Sequence, residues 1–305
     1  MAQLPTAPAR TPKRKGAPRF SWGPYLLLLP SVGLLTLFTL WPMVSSLWSA
    51  LFLSDLAHPE PEFAGLANFA TLFADDHFRQ ALTNTVLFAI GTIPLTVALA
   101  LLLATQLNRK LRSVSLLRAA FFYPTMLPLV SAATIWNFMY NPLYGPINLA
   151  VKAFGGEAQN FLGSSKLALL AIMFVSVWKD AGYFMLFYLA GMQNLPTDVY
   201  EAAELEGAGR WHQFRTITFP LLMPTTLFVA TISFINAFKT VDQIFVMTGG
   251  GPDNSTSLLL YYIFEQTFAF FNKGIGAAAS VVLILILLMA ALFNHFVVDK
   301  KVHYE

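Results

Sequence analysis

Six apolar runs, each long enough to cross a lipid bilayer as a helix, leave this chain very few ways to fold. They cover about residues 24–51, 79–107, 116–140, 167–192, 221–247 and 275–298. Each is near or above the ~20 residues that a helix needs to traverse the hydrocarbon core. None shows the period-two alternation of a barrel strand, so backbone polar groups in lipid must be satisfied within helices. The fold class is therefore an all-α integral membrane protein with six transmembrane helices. Only 11% of residues are charged, 56% are hydrophobic and the mean hydropathy is +0.59, against about 25% charged in a soluble domain. There is no Cys, which removes disulfides and thiolate metal sites from consideration.

The basic residues set the topology. Arg10, Lys13, Arg14, Lys15 and Arg19 precede the first run; Arg109, Lys110, Arg112 and Arg118 lie around the second-to-third connection. Arg210 and Arg215 follow the fourth run, and Lys300 and Lys301 follow the sixth. The alternate loops hold only Arg79, Lys152, Lys166 and Lys273. The positive-inside rule then puts both termini and the fourth-to-fifth loop in the cytoplasm of a multi-pass protein of the cell membrane. The pI near 9.0 thus reflects topology signals and contact with anionic lipid, not nucleic-acid binding. Residues 1–20 read as a disordered cytoplasmic tail. Residues 24–51 are too long for a signal-peptide core and read as an uncleaved helix, with Trp22, Tyr25, Trp41 and Trp48 as interfacial anchors and Pro30 and Pro42 as kink points. The acidic stretch 53–78 is an outside loop, and the loop after residue 140 holds a short helix near 147–154 between Gly and Pro breakers.

The fourth-to-fifth loop is the most informative polar segment: EAAELEGAGRWHQFRTITFPLLMP, residues 201–224. Thr197 and Asp198 are candidate N-caps, with Glu201 placed to cap back. Residues 199–206 read as a short helix interrupted by Gly207, and a second short helix follows from about 208 to 218, stopped by Pro220. Small residues at Ala202, Ala203, Gly207, Ala208 and Gly209 leave the backbone open to close approach by another protein.

This loop resembles the EAA motif of ABC importer permeases, through Glu201, Ala202, Ala203, Gly207, Ala208, Ile217 and Pro220. Glu206 stands where that family usually has Asp, and Phe219 where it usually has Leu. The segments GLANFATLF (65–73) and VMTGGGPDNSTSLLLYYIFEQTF (246–268) are similar to loops of the carbohydrate-uptake branch. Trp178-Lys179-Asp180 and the ending KVHYE look like the glycerol-3-phosphate-type subunit. The resemblance implies a type I permease with a tail at 1–20, a first helix and outside loop at 21–79, the permease domain at 80–298 and a second tail at 299–305. It implies that the motif loop is a cytoplasmic coupling helix seated on an ATPase. It also implies a second homologous permease subunit, two ATPase subunits and an extracytoplasmic solute-binding protein. No G-x-x-x-x-G-K-[ST] pattern occurs, so the chain has no phosphate loop of its own; the resemblance implies a transporter subunit that is not itself an enzyme and leaves ATP and Mg to the partner ATPase. Gly249-Gly250-Gly251-Pro252 reads as a turn.

Ionisable residues inside the runs mark a candidate solute path, because a charge at the bilayer centre costs roughly 2.5–3.5 kcal/mol on insertion scales. Lys179 and Asp180 lie in the fourth run, Lys239 and Asp242 in the fifth. Asn137, Lys179, Asp180, Asn236 and Lys239 are the candidates; Asn and charged groups suit sugar hydroxyls, and lysines suit phosphate. Lys239 and Asp242, three apart, can instead pair on one helix face, and mid-helix polar groups can bind helix to helix. A rival reading is an ion-coupled secondary transporter with Lys179 and Asp180 as a proton relay, for which an internal repeat and paired broken helices are expected and not found. His58, His77, His212, His295 and His303 have no metal-ligand spacing and read as surface or interface residues.

Overall fold

The computed structural model describes residues 23–108, 114–294 and 296. The expectations placed on the two tails, on Trp22, on Arg109, Lys110 and Arg112, and on His295 and His303 lie outside the described residues. The chain divides into two units, residues 1–45 and 46–305. The first holds α1 (Gly23–Leu35), a π turn (Thr36–Leu40) and the start of α2 (Trp41–Ser49), whose last four residues belong to the second. Pro30 lies inside α1 without ending it.

The second unit departs at once from an all-helical reading. A two-residue antiparallel ribbon pairs β1 (Phe52–Leu53) with β2 (Glu62–Phe63), Phe52 opposite Phe63. The Asp55 carboxylate closes the intervening turn, accepting from the Ala57 and His58 amides and from His58 Nδ1 at 2.9 Å. The His58 bonds hold the Asp55 carboxyl below the usual carboxylate range. Next come α3 (Ala67–Ala74) and α4 (Asp76–Leu107). Asp75 caps α4 by accepting from the His77 amide at 2.9 Å, so the helix starts earlier than the expected residue 79.

The third and fifth runs are not single helices. The third breaks into α5 (Val114–Met126) and α6 (Leu129–Met139), bent by 100°. Pro128 stands at the N-cap of α6; its ring pushes the preceding residue out of the helical region, which ends α5. After α7 (Pro146–Ala153) and the unbroken α8 (Ala168–Gln193) come α9 (Thr197–Leu205) and α10 (Arg210–Gln213). A π turn (Phe214–Thr218) leads into α11 (Phe219–Leu221), which bends by 65° into α12 (Met223–Phe238). Pro220 does not stop the helix as expected: it sits in the first turn of α11, where its missing N–H is harmless. The chain then forms α13 (Asp242–Met247), α14 (Leu259–Phe264), a π turn (Glu265–Ala269) and α15 (Lys273–Phe293). Among the described residues four helices are long and apolar enough to span a membrane, or up to six if each bent pair is one span.

Two apolar clusters hold the second unit together. One joins Phe88 and Ala89 of α4, Ala171 to Val175 of α8, and Ala237 and Phe238 of α12 to α14 and α15. The other joins Ala100 to Leu107 of α4, Phe184 to Met192 of α8, and Leu222 and Val229 beside α12. Along each of the three helices the clusters leave a gap, filled by Thr92 and Thr96, by Ser176 to Asp180, and by Ser233 and Asn236. Apolar burial thus pins the helices together at two levels, and the polar residues meet at the seam between them.

Candidate functional site

The seam holds a cavity of about 250 Å³, lined by Leu129, Ser176, Lys179, Asp180, Asn236, Lys239, Thr240, Val241, Asp242 and Gln243. A recess of about 20 Å³ adjoins it, sharing Ser176, Asp180, Asn236 and Thr240 and adding Thr92, Thr96 and Ser233. That is room for about one water. Asp180 sits midway along α8, so the cavity lies at mid-depth of this helix. The Gln243 side-chain amide donates to Ser176 Oγ at 2.7 Å and ties α13 to α8.

Lys179 and Asp180 are neighbours with different surroundings. The Lys179 ammonium is buried and donates to the carbonyls of Pro124, Thr125 and Leu127 at 3.3, 3.2 and 2.8 Å. These carbonyls lie in the last turn of α5 and just past it, where a cation is also favoured by the helix dipole. Thr125 Oγ1 answers by donating to the Lys179 carbonyl at 2.9 Å. One turn on, Gly182 allows the two helices to touch: a Cβ there would lie 1.8 Å from the Phe121 carbonyl oxygen. Lys179 therefore caps the break between α5 and α6. No ion pair joins it to Asp180 within 4.0 Å among the described residues.

Of the residues proposed from sequence, the cavity brings together Lys179, Asp180, Asn236 and Lys239. Asn137 is exposed on α6 and is not part of the lining. Lys239 and Asp242 do not share a helix face, because α12 ends at Phe238 with Lys239 as its C-cap, and α13 begins at Asp242 after Val241 leaves the helical region. Sequence reasoning missed Ser176, Ser233, Thr240, Gln243, Thr92 and Thr96. Ser and Thr inside apolar helices commonly bond the carbonyl one turn back, as Thr92 does to Phe88 at 2.7 Å, so nothing in the string set these apart.

The loop of the second site is exposed. The helix α9 buries none of its residues, and Leu205 and Trp211 are 91% and 73% exposed. It starts at Thr197 with Pro196 at the N-cap and no side-chain cap bond, unlike the expected Thr197 or Asp198 cap. It ends on Gly207 at φ +77°, with the Gly207 amide on the Glu204 carbonyl and the Ala208 amide on the Ala203 carbonyl. That pair of bonds is the left-handed glycine stop of a helix. A Cβ at Gly207 or Gly209 would meet nothing within 4 Å, so this backbone is open from outside. Glu201 and Ala202 are exposed, and Ala203, Ala208 and Ile217 are half-buried.

Beneath the loop, Tyr200 shares a hydrogen bond with Thr218 Oγ1 at 2.9 Å, and the Gln213 amide donates to the Ala208 carbonyl at 3.0 Å. Phe214 and Phe219 pack on the second apolar cluster. The loop is thus pinned to the strut of α10 and α11 that bends into α12, and α12 carries Ser233 and Asn236 to the cavity.

The bundle is polar at its middle and carries an exposed loop helix. Residues 93–303 match the family described as binding-protein-dependent transport system inner membrane component, and the chain belongs to that family of permease subunits. It is similar to the sn-glycerol-3-phosphate transport system permease protein UgpA of Agrobacterium fabrum, 34% identical over 282 residues, covering 92% of this chain and 96% of that protein. The probable ABC transporter permease protein YurN of Bacillus subtilis is 34% identical over 259 residues, covering 84% and 88%. A chain of a bacterial ABC transporter involved in the import of the acidic polysaccharide alginate has the same fold, with a TM-score of 0.78 at 22% identity over 90% of this chain and 96% of that one.

Proposed function

We propose that this permease subunit pairs with a second homologous one to form the path for a sugar or glycerol-3-phosphate-like solute, in six spans with both termini in the cytoplasm. Residues 80–298 form the permease domain, and 21–79 add the first helix and an outside loop. A solute-binding protein delivers from outside, and two separate ATPase subunits hold the ATP and Mg; this chain binds neither. The glycerol phosphate reading is supported by the relatives named UgpA, and the delivery step by a structure of the alginate transporter in complex with a pentasaccharide-bound periplasmic protein.

The observation that carries the reading is the linkage from the exposed α9 to the central cavity. Glu201, Ala202, Ala203, Gly207 and Ala208 form the face that the ATPase grips, and Ile217 and Pro220 lie on the strut behind it. Closure of the ATPase pair on ATP moves α9. Tyr200 and Thr218 pass that displacement to α10 and α11, and α12 shifts its cavity face against α8. Alternating access follows if the two packings of these helices are the two stable states. Hydrolysis then resets the bundle.

The test uses the assembled importer in proteoliposomes with its binding protein. Gly207→Asp should leave the subunit in the membrane and abolish solute uptake driven by ATP. Normal uptake by that variant would refute the coupling role.

A further inference from the structure

The central cavity holds charges of both signs, and their surroundings give them separate tasks. An ammonium has three donors and no acceptor. Lys179 has spent its three on the α5 carbonyls, so none is left for a solute. Lys239 is the opposite case. It is exposed at the cavity mouth, and among the described residues its ammonium has no hydrogen bond and no carboxylate within 4.0 Å. Asp180 lines both the cavity and its recess; among the described residues its carboxylate makes no hydrogen bond and no ion pair within 4.0 Å, and it feels only the charge of the neighbouring Lys179. In the same recess Ser233 is 6% exposed and its Oγ is buried without a partner.

A carboxylate with no hydrogen-bond donor can only accept, and an unpartnered hydroxyl can both give and take; together they match the hydroxyls of a polyol. A lone ammonium matches an anion. We propose that Lys239 and Asp180, not Lys179, divide the recognition of a small polyol that bears an anionic group such as a phosphate ester. The hydroxyls enter first, toward Asp180 and Ser233. The anion stays at the mouth on Lys239. Asp180 repels it from the recess, and Asp242, exposed at the same mouth, confines it to the lysine. Lys179 is a positioning residue that holds the cavity wall. This assignment rests on the importer reading and adds the orientation of the solute.

The experiment measures equilibrium binding to the purified, assembled importer without its binding protein. The probes are glycerol 3-phosphate, glycerol and inorganic phosphate. Ratios between probes are read, because they do not depend on the fraction of active protein. Lys239→Gln should weaken glycerol 3-phosphate about tenfold, equal to 1.4 kcal/mol, and leave glycerol unchanged. Ser233→Ala should weaken both polyols and leave phosphate unchanged, whereas Asp180→Asn should weaken glycerol and strengthen phosphate, whose repulsion it removes. Lys179→Gln should keep the parent's ratios. Equal loss of all probes in Lys239→Gln, no loss in it, or no probe bound by the parent would overturn the assignment. Failure of the importer reading shows separately, as absence of ATP-driven uptake by the parent assembly.

Discussion

At the level of single residues, the polar side chains inside this bundle are explained by what each must satisfy. The three bonds from Lys179 answer a local need, the carbonyls gathered where α5 ends before Pro128. Lys179→Met should therefore cost about 1–3 kcal/mol, the range for buried polar groups left unpaired. Thermal unfolding in detergent checks this, and an unchanged midpoint would show that the cap contributes nothing. Glu265 is a second test. Its Oε2 is buried without a hydrogen bond, and His77 Nε2 lies 3.8 Å away. Burial holds its carboxyl above the usual value. A raised carboxyl pKa in the folded state means that the charged form is a cost, present once the pH exceeds that raised pKa. Glu265→Gln should thus stabilise the protein by about 1 kcal/mol at neutral pH. The gain should fade as the pH falls through the raised pKa toward the ordinary 4.5, because the parent then protonates itself. A gain that grows on acidification would contradict this.

Among the elements, close backbone approach and one left-handed residue matter most. Gly182→Ala would push a methyl into the Phe121 carbonyl 1.8 Å away, against backbone that cannot yield as a side chain would. Loss of about 3 kcal/mol or more is expected, seen as poor yield of folded protein; normal yield and stability would contradict the packing of α5 on α8. Gly207 at φ +77° ends α9. Gly207→Ala should cost about 1–2 kcal/mol from the left-handed backbone alone, with room for the methyl. Tyr200→Phe removes the bond to Thr218 and should lower uptake per ATP hydrolysed while leaving the basal hydrolysis rate unchanged. The positions of the apolar runs were legible because length and hydropathy are additive along the string. The bends were not, because a proline in a membrane helix sometimes kinks it and sometimes ends it. Pro30 and Pro94 stay inside helices, while Pro128 sits at a 100° break. At the break the carbonyls are taken up by Lys179, a residue 51 positions beyond Pro128, which the local sequence does not show.

For the molecule as a whole, two apolar clusters leave a polar seam, and one exposed loop is pinned to a helix that reaches it. The loop was readable from sequence through its glycines and charges. The cavity was readable only in part: charged residues stand out in an apolar run, whereas Ser176, Ser233 and Thr240 look like ordinary helix residues until α8 and α12 are brought together. Lys239 and Asp242 looked like a pair because a straight helix was assumed between them. The absence of Cys makes the central claim, that a separate ATPase drives this bundle through α9, open to a clean measurement. Leu205→Cys places the chain's one thiol on an exposed side chain of α9, 91% exposed. In the assembled importer, a thiol-to-amine cross-linker should join this position to the ATPase subunit, and a membrane-impermeant thiol reagent added outside intact cells should not label it. Labelling from outside, or no cross-link to the ATPase in an assembly that transports, would contradict the account.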